Sequence, residues 1–345
     1  MSYFHRVHAK TATRLWVNNP TVADAERAIV HGARAATTNP TYASKILATL
    51  PEDERGALIV AATRSGDADA AVDALQRELV GRILPVFARF HGGIHPLDGL
   101  VSIQGNPHRD TDRDAILHEA ARYEPLGANV IFKIPATRGG LEAIEDLLRR
   151  GKPVLATEMM SVAQTHAACA VYRRVMNATG HRPILILTHI TGIYDQYLGE
   201  VATRHAPDVP TEQVAAAGLL VARRVRAAID QQSLPIALMG GGARRDRHFT
   251  DMVGGDLQVT INPDMIERLV EADQPPTPTF WAASDSALIA RLRDRLPDFR
   301  RAWDDDGLAP GEFEAFGPVR LFLSLFIAGW DAVRAQCAPR RHAAR

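Results

Sequence analysis

The sequence predicts a parallel (β/α)8 barrel of the TIM type, and three observations carry that expectation. Eight short β-like runs recur along the chain, most are followed by a helical pattern, and 345 residues fit one such barrel. The first run, 15–18 (LWVN), precedes a helix that starts near Thr21. The second, 33–38, ends at the Asn39-Pro40 turn, and the third, 99–104 (GLVSIQ), leads through a polar turn into a helix. The fourth, 129–135 (NVIFKIP), and the fifth, 153–157 (PVLAT), each precede an amphipathic helix. The sixth, 183–188, runs into an irregular helix, the seventh, 234–240, meets a glycine turn, and the eighth, 257–261, precedes PDMIERLVEAD. An open doubly wound sheet is the competing arrangement, but no G-x-G-x-x-G follows the first run.

One domain is expected over 1–345, with a helical insertion at about 51–98 and added helices at about 282–336. LFLSLFIAGW, residues 321–330, repeats apolar residues at helical spacing and is expected to pack a terminal helix onto the core. It is about half the length a membrane span needs. The last eight residues, APRRHAAR, read as a frayed tail.

Basic and acidic residues balance at 40 each, with a pI near 7.3, which gives no nucleic-acid footprint and no membrane anchor. The N-terminal stretch MSYFHRVHAKTATR has no apolar signal core and looks disordered. Cys169 and Cys337 lie in apolar helical stretches and read as free thiols of a reducing, cytoplasmic compartment. The histidine spacings, such as His5/His8 and His91/His95, suggest no metal site.

Only Lys10, Lys45, Lys133 and Lys152 are lysines; the other 36 basic residues are arginines, which stay charged and cannot act as amine nucleophiles. In NVIFKIP, Val130, Phe132 and Ile134 share one face, so Ile131 and Lys133 point into the barrel. A lysine there loses hydration, which favours the neutral amine that a Schiff-base nucleophile requires. The other reading is a buried lysine paired to a carboxylate for structural reasons.

LWVNN, TTNPT, IFKIPATRGGLEAI, TEMMSVAQ, MGGGAR and VTINP resemble, in this order, the strand ends of transaldolases. The resemblance spans about 14–270, and DFRRAW through EFEAFGPVR is similar to the tail of longer bacterial members. It implies a (β/α)8 enzyme without cofactor or metal, whose fourth-strand lysine takes a dihydroxyacetone unit from a ketose phosphate and passes it to an aldose phosphate. Lys133 falls on that lysine. Asn39 matches an asparagine that contacts substrate hydroxyls, Thr157 a threonine near the catalytic water, and Arg244 a phosphate-binding arginine.

Five positions depart from the family pattern. Asn18 replaces an aspartate, Gln104 a glutamate, Leu155 an asparagine, Ile193 an arginine and Gly242 a serine. Amides cannot shuttle protons, and general acid–base catalysis contributes about 10²–10⁴-fold, so ordinary transaldolase activity is expected to be weak. The double change Asn18→Asp with Gln104→Glu is expected to raise it. With both carboxylates gone, no anion is expected to hold Lys133 charged. A thinned phosphate site points to a non-phosphorylated or differently charged substrate, with Arg244 and Arg245 alternatively a solvated helix start, and the glycines at 240–242 offering N–H groups.

Glu158 and His189 are the replacement acid–base candidates, with Tyr194 and Asp195 in the next loop, although strand parity aims the first two away from the pocket. The expected site therefore has Lys133, Thr157, Gln104 and Asn18 at the chemistry. Asn39, Thr188, Arg244, Glu158 and His189 are expected around a small sugar or keto substrate. Three functions follow: C–C bond transfer or cleavage through a Lys133 imine in specialised metabolism, an imine with another outcome, or a catalytically silent barrel that binds a regulatory partner. The oligomeric state is open, with a homodimer as the assembly to test.

Overall fold

A computed structural model describes residues 1–338; most of the expected tail, 339–345, lies outside the described residues. Eight parallel strands close in sequence order: β1 (Arg14–Asn18), β2 (Ala36–Thr37), β3 (Val101–Ile103), β4 (Val130–Pro135), β5 (Val154–Met159), β6 (Leu185–Ile190), β7 (Ala237–Gly241) and β8 (Gln258–Ile261). β1 pairs with β8 through Trp16 and Thr260, which closes the ring. All eight expected runs supply a strand, and the (β/α)8 barrel is the fold. β2 is only two residues long because the chain turns at Asn39-Pro40.

Helices α1 (Tyr3–Lys10), α2 (Val22–Val30) and α3 (Tyr42–Thr49) flank β1 and β2. Thr21 caps α2 in a reciprocal box with Asp24, the signal legible as a helix start. Two further helices, α4 (Glu52–Ala62) and α5 (Ala68–Ala88), occupy the expected insertion. Next come α6 (Arg113–Tyr123), α7 (Arg138–Arg149), α8 (Val162–Thr179), α9 (Thr191–His205), α10 (Thr211–Val214) and α11 (Ala217–Gln232). The chain ends in α12 (Arg247–Thr250), α13 (Pro263–Ala272), α14 (Ser286–Arg295), α15 (Pro297–Trp303) and α16 (Gly317–Cys337). The N-terminus is an ordered helix rather than a disordered arm, because Tyr3, Phe4 and Val7 of α1 bury against the barrel wall around Phe249.

Side-chain parity divides the core in two. Trp16, Ile131, Leu155, Ile186 and Met239 fill the barrel interior, while Val130, Phe132 and Ile134 pack outward into the helical layer. Lys133 therefore points inward, level with Leu155. Among the described residues no helix is long and apolar enough to cross a membrane, and both cysteines are buried and unbridged.

Helix α16 lies across the barrel mouth. Phe322, Phe326 and Trp330 recur four residues apart and are buried, as the apolar spacing of 321–330 anticipated. Gly329 permits the closest approach: a Cβ there would come within 2.8 Å of Thr41 Cγ2. Trp330 is fully enclosed and donates from Nε1 to Asp69 Oδ1 of α5 at 2.8 Å. Trp330→Ala removes that bond and opens a cavity, so equilibrium unfolding should register a loss of about 3–5 kcal/mol.

Candidate functional site

A pocket of about 280 Å³ opens at the C-terminal ends of the strands, where barrel sites form. Lys133 sits on its floor. Asn18, Thr37, Asn39, Thr188, Thr260 and Asn262 give it a polar side. Leu155, Ile190, Met239, Phe322 and Phe326 give it an apolar side, and Lys45 and Arg244 stand at its mouth.

Lys133 is 6 % exposed, donates from Nζ to the Thr38 carbonyl at 3.1 Å, and lies 5.7 Å from the Phe326 ring centre. Burial lowers its pKa to about 8, against the opposing pull of Glu158 and Asp110. The expectation that no anion faces Lys133 is thus corrected. Two carboxyls do, and desolvation still outweighs them. At pH 7 an amine with that pKa is ~10 % neutral, against well under ~0.1 % for an ordinary lysine.

Glu158 reaches this position through a local defect in β5. The register with β6 shifts between Ala156 and Met159, and Glu158 takes φ 59°. A non-glycine residue held there costs of order 1–3 kcal/mol, so the surrounding packing must impose it. The bulge turns Glu158 towards Gln104 and Asp110, while it stays out of the pocket lining, as strand parity predicted. Its side chain is 1 % exposed and accepts from Gln104 Nε2 at Oε1, 3.2 Å away.

Asp110, 5 % exposed on the loop after β3, lies within hydrogen-bonding reach of Glu158. Sequence reasoning missed it, since a polar turn before a helix looks solvated. Thr137 fixes this loop by capping α7 through the Gly140 N–H while donating to the Asp110 carbonyl at 2.7 Å. Asp110 Oδ2 and Glu158 Oε2 are buried and find no N–H or O–H donor among the described residues. Two ionised carboxylates would repel strongly there, so one proton held between them satisfies both oxygens. Burial raises Asp110 well above the usual carboxylate range and Glu158 to about 7.

Gln104 now has a physical role. Its amide donates where a glutamate would add a third buried carboxyl. The Gln104→Glu half of the double change expected to raise activity would set like charge against Glu158. Asn18 belongs to a separate chain. It donates to Asn262 Oδ1 at 2.8 Å and accepts from Thr37 Oγ1 at 2.9 Å, and Thr37 meets Thr260 at 2.6 Å.

Asn39 accepts from Thr41 N and Oγ1 at its Oδ1, which leaves its amide N–H₂ as the group to offer a ligand. Thr188 lines the pocket, with a buried Oγ1 that has no partner among the described residues. Thr157 shares the face of Leu155, two residues nearer the C-terminal end of β5; it is fully buried and not part of the pocket lining, and its Oγ1 is likewise unpartnered. His189 is placed elsewhere: its ring faces α11, where Nε2 meets the Gly218 carbonyl at 2.9 Å, and burial lowers its pKa to about 4. Strand parity holds for it, so it does not line the pocket.

Tyr194 and Asp195 also face away from Lys133. Asp195 accepts from Gly218 N and meets His248 Nε2 at 3.1 Å. His248 Nδ1 accepts from the N–H groups of Arg244 and Arg245, so Asp195 steadies the loop that carries Arg244. Arg244 and Lys45 form no ion pair among the described residues, and burial lowers both pKa values. Lys45 is a second cation lining the same pocket as Arg244, one that the sequence does not place there. Its scarcity as a lysine was the one signal available, but a helix position six residues past Asn39 carries no motif. Among the described residues, no three His, Cys, Asp or Glu side chains are grouped to hold a metal ion.

Comparison with known proteins adds a family. The model of the Transaldolase/Fructose-6-phosphate aldolase family matches residues 15–305. A transaldolase of Thiobacillus denitrificans is 30 % identical over 151 residues, covering 41 % of this chain and 40 % of that protein. One of Renibacterium salmoninarum is 33 % identical over 144 residues, covering 41 % and 36 %. One of Neisseria meningitidis serogroup A is 38 % identical over 78 residues, covering 22 % of each. The matched stretches thus span well under half the length of these relatives.

The buried carboxyl has a measurable effect on stability. A carboxyl whose folded pKa is raised favours folding most while protonated, below its unfolded value, and loses that advantage as pH rises through about 7. Glu158→Gln keeps the bond from Gln104 and removes the ionisation. Its melting temperature should exceed the unmodified protein's by roughly 2–4 °C at pH 8.5, with the gap closing towards pH 5.

Proposed function

The chain belongs to the transaldolase/fructose-6-phosphate aldolase family, and from that premise we propose that it makes or breaks C–C bonds through a Lys133 imine. The observation that carries the reading is an amine buried on a pocket floor whose pKa desolvation lowers to about 8. Lys133 Nζ adds to the carbonyl carbon of a ketone or aldehyde. The resulting carbinolamine loses its hydroxyl as water once that oxygen gains a proton, leaving an iminium. Loss of a proton from the hydroxyl on the carbon β to the iminium then breaks the Cα–Cβ bond, whose electrons pass into the iminium to leave an enamine and a free aldehyde. The enamine adds to a second aldehyde or takes up a proton.

Proton transfer falls to the Asp110–Glu158 pair, since Asn18 and Gln104 are amides. A single shared proton lets this pair act as acid at one step and base at the next. Gln104 orients Glu158 and, by donating to its carboxyl, lowers its pKa against the rise that burial causes.

The pocket supports a small hydroxyketone with a terminal anion. Asn39, Thr188 and the Asn18–Asn262 chain face its hydroxyls, and Lys45 with Arg244 meet the anion, a phosphate or a carboxylate. Leu155 and the α16 phenylalanines shape a wall for carbon rather than for hydroxyls, which is the basis for a substrate outside ordinary sugar-phosphate exchange. A volume near 280 Å³ suits a compound of few carbons.

Borohydride trapping tests this. Dihydroxyacetone and a panel of C5–C7 ketoses and keto acids, with and without phosphate, are each reduced with the protein and read by intact mass. One adduct should form, and it should be absent from Lys133→Arg. Its rate of formation should rise with pH and level off above about 8, because the neutral amine is the reactive form. No adduct across the panel, or one that survives Lys133→Arg, refutes the imine and leaves a barrel that only binds.

A further inference from the structure

We propose that Glu119, Asp110 and Glu158 form a proton path from Lys133 through the barrel wall to a second opening on the outer face. The inference rests on the imine reading of Lys133 and adds the route by which its protons are exchanged with solvent.

Three spaces lie in series. The Lys133 pocket is the first. Behind it is a small cavity of about 10 Å³, lined by Gln104, Asp110, Glu119 and Lys133 among apolar side chains of β4 and α6. That is about the volume one water molecule needs. Glu119 then also lines the third space, an outer groove of about 530 Å³ between α5, α6 and α16. Lys133 thus borders the first and second spaces, and Glu119 the second and third.

The groups along this line hold protons rather than pair off. Glu158 Oε2, Asp110 Oδ2 and Gln104 Oε1 are buried and unpartnered among the described residues. Glu119 accepts only from the Asn106 N–H, at 3.1 Å, and forms no ion pair there. It is pressed against the backbone at Gly105, where a Cβ would fall 1.7 Å from Glu119 Oε2. Gly105 thus leaves the space that Glu119 occupies beside the cavity. Burial lifts Glu119 to about 7, with Asp73 reinforcing the shift and Arg122 and Arg109 opposing it. Lys133 draws both inner carboxyls back down.

Each transfer balances. When the carbinolamine hydroxyl leaves as water, Glu158 releases to it the one proton that the pair shares. Asp110 is restored from Glu119 across the single-water cavity, and Glu119 from solvent in the groove. Imine hydrolysis returns one proton along the same line, so a turnover consumes none. The route keeps working while α16 and a bound substrate cover the mouth above Lys133.

Two measurements on the intact protein test the path. The first needs no substrate. The infrared band of the shared proton, identified as the protonated-carboxyl band lost in Asp110→Asn with Glu158→Gln, is followed after transfer into D₂O. Its exchange should slow at least about tenfold in Glu119→Gln and recover in Glu119→Asp or with added imidazole. The second follows hydrogen exchange at the carbons of dihydroxyacetone in D₂O by NMR. Glu119→Gln should form the borohydride adduct to the same final extent but exchange carbon-bound hydrogen at least about tenfold more slowly, with an altered pH profile. Unchanged band exchange in Glu119→Gln overturns the path. Failure of the unmodified protein to form any adduct overturns the imine reading instead, and the infrared result still decides the path.

Discussion

Taking one amine out of water is the constraint on which the upper half of this barrel depends. A lysine enclosed by Leu155, Phe326 and the Thr38 carbonyl cannot keep its ordinary affinity for a proton. Glu158 and Asp110 partly restore that affinity. Were they fully ionised they would hold Lys133 as an ammonium ion; buried beside each other, they cannot both ionise. Burial thus lowers Lys133 to about 8, raises Glu158 to about 7 and lifts Asp110 well above the usual carboxylate range.

The amides at 18 and 104 follow from the same constraint. Once Glu158 is turned towards 104, a donor there is required and another acid is excluded. At 18, an amide can give and accept at once, which knits Asn262, Thr37 and Thr260 into one polar wall. Where the sequence has amides at 18 and 104, the folded protein brings two other carboxyls near Lys133, one from β5 and one from the loop after β3. The strained backbone at Glu158 is the structural cost of that placement.

Much of the frame was legible in the sequence, because alternation needs only apolar residues to be read. Val130, Phe132 and Ile134 mark the outward face of β4 and so turn Lys133 inward. His189 obeys the same parity, and its role as a substrate contact fails for that reason. Glu158 also stays out of the pocket lining, but its turn towards Gln104 and Asp110 was hidden, since a bulge in TEMM leaves no compositional trace. Asp110 and Glu119 were hidden for another reason. In HRDTDRDAILHE they resemble the solvated start of a surface helix, and only closing the barrel brings that start against Lys133's strand. Lys45 stood out by rarity alone, and its place at the mouth depends on the α3 turn that Asn39 sets.

With only four lysines in the chain, the amine itself can be observed directly. Labelling the lysine ε-carbons yields four signals, and Lys133→Arg identifies the one that matters. That signal should titrate near pH 8, well below the reference lysine value of about 10.4. A Lys133 signal that stays charged up to that reference value would contradict the account, because no neutral amine would then be available at the pocket floor.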